Sequence, residues 1–387
     1  MEPRRSVAGS IVKVMSCSLY LHIPFCRKKC NYCDFPSYAG RENLIPEYIE
    51  ALRSELGYYS SIYERPLIRT VFVGGGTPTL LPEESISSLF DSIRKDFDVR
   101  PDAEITFESN PGTVTKEKLK ALINAGVNRI SLGAQSFNNN LLKKLGRIHF
   151  EHEINEAYEM VRDAGFRNVN LDLIFALPGG NINDWQETLV KAVKLAPEHI
   201  SAYNLQIEEG TPFYIDKLEG TLLMPEEEDE LKMYKIAIAF LKENGYEHYE
   251  ISNFARKGYE CAHNNAYWTL QDYIGAGAGA HSFINNIRIE NTSYLEKYLT
   301  KDFSNIKTEH VNTKKETMQE MIFLGLRLIK GFNLNDFTRR FGISFREIYK
   351  KELAELMEGR MLEMDGKNVK LTEKGLFLAN EVFKKFL

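Results

Sequence analysis

From about residue 18 to residue 205, short apolar runs alternate with stretches whose apolar residues recur every three or four positions. The runs at 18–23, 70–73, 103–108, 129–132, 168–174 and 199–205 read as β-strands. The stretches between them read as helices. Tyr48, Leu52, Leu56 and Tyr59 mark one apolar face. Ile86, Phe90, Ile93 and Phe97 mark the next, which opens after Pro82, while Leu119, Leu122 and Ile123 belong to a third that ends at Gly126. Six strand–helix units in succession predict a parallel sheet with right-handed crossovers. Helices on both faces would suit strands that are nearly apolar throughout. A closed eight-unit barrel needs two further repeats that the pattern lacks, so the α/β fold expected is a curved, incomplete barrel.

Past residue 205 the pattern changes. Residues 226–244 read as an amphipathic helix with Leu231, Tyr234, Ile238 and Leu241 on one face and Gly245 after its end. Residues 248–254 read as a strand, and the alternating Gly and Ala of 275–279 as a tight loop. From about Ser293 the chain is helical and charged, with helices over 318–330, 334–341 and 345–358. A small hairpin (362–364 with 369–371) and a last helix over 373–386 follow. This predicts three parts: an N-terminal extension at 1–17, a core with its annex at 18–290, and a helical, winged-helix-like domain at 291–387. No basic recognition helix is evident there, which argues against DNA binding.

The chain carries 49 basic and 54 acidic residues, a net charge of −5, with no basic block. No nucleic-acid partner is therefore expected. Arg4, Arg5 and the apolar residues 11–15 resemble a signal peptide, but Lys13 interrupts them and no small-residue cleavage site follows. With no run long enough to span a bilayer, a cytoplasmic location is expected. The five cysteines are odd in number, and three fall within eight residues, which points to metal ligation over disulfides. Cys17 and Cys261 stand alone and read as structural thiols.

The clustered three lie in Tyr20-Leu-His-Ile-Pro-Phe-Cys26-Arg-Lys-Lys-Cys30-Asn-Tyr32-Cys33, directly after the first predicted strand. Loops at the carboxyl ends of parallel strands are where such folds place their sites. Thiolates spaced C-x₃-C-x₂-C can bind three irons of a [4Fe–4S] cubane, leaving the fourth iron to an exogenous amine and carboxylate. A zinc site completed by His22 or Asp34 is the alternative. Further polar residues fall at the ends of later strands. These are Gly75, Gly76 and Thr77 in Val73-Gly-Gly-Gly-Thr-Pro78, Glu108 in Glu-Ser-Asn-Pro-Gly112, Gln135, Arg147 and Asp172. Glu108 can accept hydrogen bonds from an ammonium or ribose, Arg147 can pair with a carboxylate and Asp172 can hold a ribose hydroxyl. Read alone, each of these is either a site residue or an ordinary cap, and Tyr20 and Tyr32 are either ligand-packing or core aromatics.

The cysteine string with its aromatic before the last Cys resembles the signature of the radical S-adenosylmethionine superfamily. The similarity extends over nearly the whole chain, towards the oxygen-independent coproporphyrinogen III oxidase-like branch. The resemblance implies a (β/α)₆ partial barrel, a [4Fe–4S] cluster on Cys26, Cys30 and Cys33, and S-adenosylmethionine held by Tyr20, Tyr32, Gly75, Gly76, Thr77, Glu108, Gln135, Arg147 and Asp172. Backbone N–H groups of the glycine loop are expected to meet the ligand's amino-acid end. The chemistry implied is reductive cleavage of the sulfonium to methionine and a 5′-deoxyadenosyl radical, which needs an electron donor.

That branch holds both a coproporphyrinogen dehydrogenase and haem chaperones. The dehydrogenase pattern has a fourth cysteine where this chain has Phe35, and a long arm before the first strand where about 17 residues stand here. His263-Asn264-Asn-Ala-Tyr267-Trp268 matches the H-N-x-x-Y-W pattern of the chaperones, in which a neutral imidazole can ligate haem iron and the aromatics pack on the macrocycle. By its residues alone, the same string also reads as a histidine hydrogen-bonded in a barrel wall. The resemblance therefore favours a haem chaperone, with haem, haem-acceptor proteins and an electron donor as partners. Respiratory acceptors would bring it transiently to a membrane. Anaerobic decarboxylation of coproporphyrinogen III is the alternative, and a radical enzyme on another substrate is a third reading.

Overall fold

The computed structural model describes residues 16–387. The expected N-terminal extension lies outside the described residues except for Ser16 and Cys17, which open the first strand. All six predicted strands are present: β1 (Ser16–Ile23), β2 (Leu67–Gly75), β3 (Asp98–Ser109), β4 (Arg129–Gln135), β5 (Val169–Phe175) and β6 (His199–Asn204). They pair in parallel in that order. The crossovers carry α1 (Ile45–Ile62), α2 (Glu83–Asp96), α3 (Lys116–Asn124), α4 (Asn139–Lys144), α5 (Glu151–Asp163) and α6 (Ile182–Lys194).

The strands alternate in the way pleating requires. Leu19, Leu21, Val71, Val73, Phe107, Ile130, Leu132, Leu171, Leu173 and Ile200 are fully buried in the core shared with the helices. The opposite, inner face carries Tyr20, His22, Glu104, Glu108, Arg129, Ser131, Asn170, Asp172, His199 and Ser201. The expectation of helices on both faces is thus corrected. The crossover helices cover only the outside of the curved sheet, and the inside is polar because it holds a cavity, a hydrogen-bonded column and, towards the start of the strands, one short later helix whose His263 meets Thr70.

After β6 come α7 (Pro212–Leu218), α8 (Glu227–Glu243), β7 (Glu247–Glu250), β8 (Asn253–Ala255) and α9 (Ala262–Trp268). The single strand expected over 248–254 is broken because the buried carboxylate of Glu250 accepts from Ser252 N (3.2 Å) and from the Asn253 side chain, which bends the chain there. Next follow β9 (Tyr273–Ala276), β10 (His281–Ile284), β11 (Ile287–Asn291), α10 (Leu295–Leu299) and β12 (Lys307–Val311). Among the described residues one sheet runs β12-β11-β10-β9-β1-β2-β3-β4-β5-β6-β8-β7, so the barrel is open. Gly275, expected in a loop, lies instead in β9, a further parallel strand beside β1. A Cβ there would fall 2.0 Å from the carbonyl oxygen of His281, so the close approach inferred for this glycine is to the hairpin partner.

The last part contains α11 (Lys314–Gly325), β13 (Phe332–Asn333), α12 (Leu334–Phe341), α13 (Phe345–Ile348), α14 (Lys350–Glu358), β14 (Leu362–Asp365), β15 (Asn368–Leu371), α15 (Glu373–Phe377) and α16 (Ala379–Lys384). Its aromatic core of Phe332, Phe337, Phe341, Phe345, Tyr349 and Phe386 is separate from that of the barrel. Among the described residues, no helix is long and apolar enough to cross a membrane.

Candidate cluster and nucleotide cavity

A cavity of about 410 Å³ opens at the carboxyl ends of the strands. This falls in the range of small-ligand sites. The loop after β1 forms one wall with Cys26, Cys30, Tyr32, Cys33 and Phe35, and the glycine loop after β2 forms the next with Gly75, Gly76 and Thr77. Glu108, Gln135, Arg147 and Asp172 complete it from β3 to β5. Tyr20 does not border the cavity. It lies beneath it, its hydroxyl 2.9 Å from Nδ1 of His22.

Gly75 has φ +112°, and a Cβ there would meet the His22 ring at 2.6 Å. At Gly76 a Cβ would fall 2.6 Å from the Phe25 carbonyl and 3.0 Å from Cys26 Sγ, so glycine is what lets the two loops touch. The N–H of Gly75 donates to Glu108 (3.0 Å), that of Gly76 to Ile23 O (2.8 Å) and that of Thr77 to Phe25 O (2.8 Å). All three N–H groups brace the cysteine loop and the wall. Thr77 Oγ1 lies 3.7 Å from Cys26 Sγ.

The three thiols are free and half-exposed at the cavity. Among the described residues no three His, Cys, Asp or Glu side chains converge on a point that would hold one metal ion. A cubane takes one thiolate on each of several irons, so its ligands stand apart. Burial pushes Cys33 up to about 11 and raises Cys26 as well, so these thiols need a cation to ionise. Half-buried Arg147 supplies positive charge, donating to Cys30 Sγ (3.5 Å), to Gly133 O (2.8 Å) and to Asn110. The donor set and the glycine cradle fit a cluster.

On the nucleotide side, burial first and the nearby Asp172 second raise Glu108 to about 8. Gln135 closes β4 at φ +64°, a conformation that non-glycine residues hold only under constraint. Asp172 accepts from Ser131 Oγ and Asn170 Nδ2, each at 2.8 Å. Sequence reading missed Asn110, Ser131, Tyr203 and Asn204, which also line the cavity. The signal available for Ser131 and Tyr203 was strand alternation, two positions from Gly133 and Ser201.

The H-N-x-x-Y-W string forms α9 at the opposite end of the barrel, where β4 and β6 begin. Glu104 caps it, accepting from the N–H groups of Ala262 and His263 (3.0 Å each). His263 is fully buried, with Nδ1 2.8 Å from Thr70 Oγ1 and Nε2 2.8 Å from the Tyr267 hydroxyl. Burial lowers its pKa to about 3, so it is a neutral imidazole with both nitrogens engaged. Tyr267 and Trp268 border a separate cavity of about 220 Å³ with Leu270, Tyr273, Arg288 and Leu324, and the Arg327 guanidinium stacks 4.4 Å over the Trp268 ring. Asn264 is half-buried on α9. Cys17 and Cys261 are buried away from the cysteine loop.

Comparison with known proteins agrees with this architecture. The radical SAM superfamily model matches residues 20–192, and the HemN C-terminal domain model matches residues 312–378. The haem chaperone HemW of Lactococcus lactis is 38% identical over 371 residues, covering 96% of this chain and 97% of that protein. The chain belongs to the HemW family. HemW of Bacillus subtilis is likewise 38% identical, over 96% of this chain and 99% of its own, and HemW of Escherichia coli is 39% identical over 70% and 71%. Among solved structures, coproporphyrinogen III oxidase (HemN) from Escherichia coli superposes with a TM-score of 0.85 at 24% identity, covering 98% of this chain and 92% of that one, which shows the shared fold. Membership of the superfamily implies a [4Fe–4S] cluster and S-adenosylmethionine.

Proposed function

We propose that this protein is a haem chaperone. It holds a [4Fe–4S] cluster on Cys26, Cys30 and Cys33, and S-adenosylmethionine against Glu108, Gln135, Arg147 and Asp172. It carries haem to acceptor proteins, with an electron donor serving the cluster. The observation that carries the reading is the similarity to HemW proteins along almost the entire length of both chains. The cavity rim supports it, because Phe35, 60% exposed, stands where the dehydrogenase pattern has a fourth thiol. Cys26, Cys30 and Cys33 would hold a cluster whose chemistry there would be one-electron reduction of the sulfonium. The chain's own residues orient that ligand, with Glu108 offering a carboxylate and Arg147 a guanidinium, while the apolar wall of Tyr32 and Ile174 limits water. Cytoplasmic work on respiratory acceptors, close to a membrane but without a span in the described residues, belongs to the same proposal.

For haem, His263 would have to give up one of its two hydrogen bonds and leave a fully buried position to reach iron. We therefore assign the macrocycle contact to Tyr267 and Trp268 where they border the cavity beside α9, with the Arg327 guanidinium offering charge to propionates. The test is anaerobic reconstitution followed by iron analysis, haem titration and a coproporphyrinogen assay. Four irons per chain are expected, lost on replacing Cys26, Cys30 or Cys33 by Ala and kept on replacing Cys17 or Cys261. A Soret band is expected that weakens in Trp268→Ala and survives in His263→Ala. Loss of the band in His263→Ala at an unchanged melting temperature would return the iron ligand to the imidazole. Coproporphyrinogen decarboxylation by the wild-type protein would overturn the chaperone reading.

A further inference from the structure

Below the cavity, the inner faces of β5 and β6 carry a chain of buried polar groups that reaches the far end of the barrel. The direction of every proton in it follows from one end. Asp172 offers a carboxylate oxygen, so the side chain it meets at 2.8 Å is the Asn170 amide nitrogen, Nδ2. Nδ2 of Asn170 also lies 2.7 Å from Ser131 Oγ, which itself donates to Asp172. The amide oxygen of Asn170 therefore faces the other way and accepts from His199 Nδ1 at 2.6 Å. That leaves His199 Nε2 as an acceptor, and the Tyr249 hydroxyl donates to it at 2.8 Å. The Tyr249 oxygen in turn accepts the N–H of Cys261 at 3.3 Å, the residue immediately before α9. Each donor points towards Asp172, and each intermediate group is satisfied on both sides. Burial and the adjacent Arg129 hold His199 well below its ordinary pKa, which agrees with the neutral tautomer this order demands.

We infer that Asn170, His199 and Tyr249 form a positioning relay. It holds the Asp172 carboxylate in place for the adenosyl ligand and ties the nucleotide cavity to the start of α9. None of the three borders the cavity, so none touches the ligand. The relay continues outward: α9 ends in Trp268, on which Arg327 of the C-terminal part stacks, so the ligand site and that part bear on one short helix. The inference rests on the proposed binding of S-adenosylmethionine at Asp172.

The test uses the full chain with its cluster reconstituted anaerobically and S-adenosylmethionine as the probe in calorimetry, alongside Asp172→Asn, Tyr249→Phe and the double variant. Tyr249→Phe removes one hydroxyl distant from the cavity and keeps the ring. It is expected to weaken ligand binding by roughly threefold to tenfold, and the double variant to bind no more weakly than Asp172→Asn alone, since coupled residues are not additive. Hydrogen exchange at 261–268 is expected to slow on adding ligand to the wild type, and to do so less in Tyr249→Phe. Where Tyr249 serves only stability, the melting temperature falls, affinity is unchanged and any losses add, an outcome that overturns the relay while leaving the proposed function intact. A fully iron-loaded wild type that binds no S-adenosylmethionine overturns both.

Discussion

Glu108 shows how the environment of one residue sets its chemistry. Its carboxylate accepts from the Gly75 N–H, yet burial and the neighbouring Asp172 raise its pKa to about 8. A carboxyl whose folded pKa lies above its unfolded value takes up a proton on folding, so the empty protein loses stability as pH rises from about 4.5 to 8. Glu108→Gln is expected to match the wild type near pH 4.5 and to exceed it by a few kcal/mol, at most about 4, near pH 8. Urea unfolding at the two pH values checks this, and a gain independent of pH would contradict it. Residues such as Glu108, Gln135 and Asp172 were legible as strand-end polar groups. Asn170, two positions before Asp172 on the same predicted strand, was legible by alternation as its face neighbour, but its hydrogen bonds to Asp172 and His199 were not. That His263 would be hydrogen-bonded in the barrel wall was one reading of its string, but its partner Thr70 was hidden, since it lies far away in sequence and only the packing of α9 against β2 brings them together.

Among the elements, the two loops after β1 and β2 act as one unit. Gly76 and Thr77 donate to Ile23 and Phe25, and the contact is closed only because position 76 lacks a Cβ. Gly76→Ala is expected to retain helical and sheet signatures by circular dichroism while binding less than half the wild-type iron, as Cys26 is displaced. A full iron complement in that variant would show that the loop has slack. The six barrel strands could be read from sequence because each is long and apolar on its outer face. The short β9 escaped, because Gly275 and Ala276 carry neither branching nor bulk. Its strand character comes from pairing with β1 and from the close approach of His281. The breaks at Ser252 and Tyr349 were unreadable for a similar reason, since each depends on burial around it.

Over the whole molecule, the annex is fastened to α1 by a fully buried carboxylate. Glu55 accepts from Gly277 N (2.8 Å), Asn291 Nδ2 (2.8 Å) and the Tyr298 hydroxyl (2.7 Å), and it pairs with Lys307 (2.9 Å), whose ammonium lies 3.8 Å over the Tyr59 ring. Removing one partner of such a pair leaves a buried charge without compensation. Glu55→Ala is therefore expected to lose about 3–5 kcal/mol of stability in denaturant unfolding, and a loss within error of zero would refute the fastening role. The C-terminal helices and hairpin were visible in the sequence as separate periodic segments. Their docking was not, because it rests on single residues such as Arg288, which donates two hydrogen bonds to Glu320 (3.0 and 2.9 Å), and Arg327 over Trp268.

The chain has two tryptophans, and their surroundings differ. Trp185 is sealed in the barrel wall, its ring nitrogen donating to Met233 O at 2.8 Å, while Trp268 sits under a guanidinium at the seam with the C-terminal part. Resonance transfer to a bound tetrapyrrole falls steeply with distance, so a cargo resting on α9 should darken Trp268 more than Trp185. The protein thus carries a built-in optical ruler. Emission from the Trp185→Phe and Trp268→Phe variants can report, without any attached dye, both the arrival of cargo and the moment the seam opens.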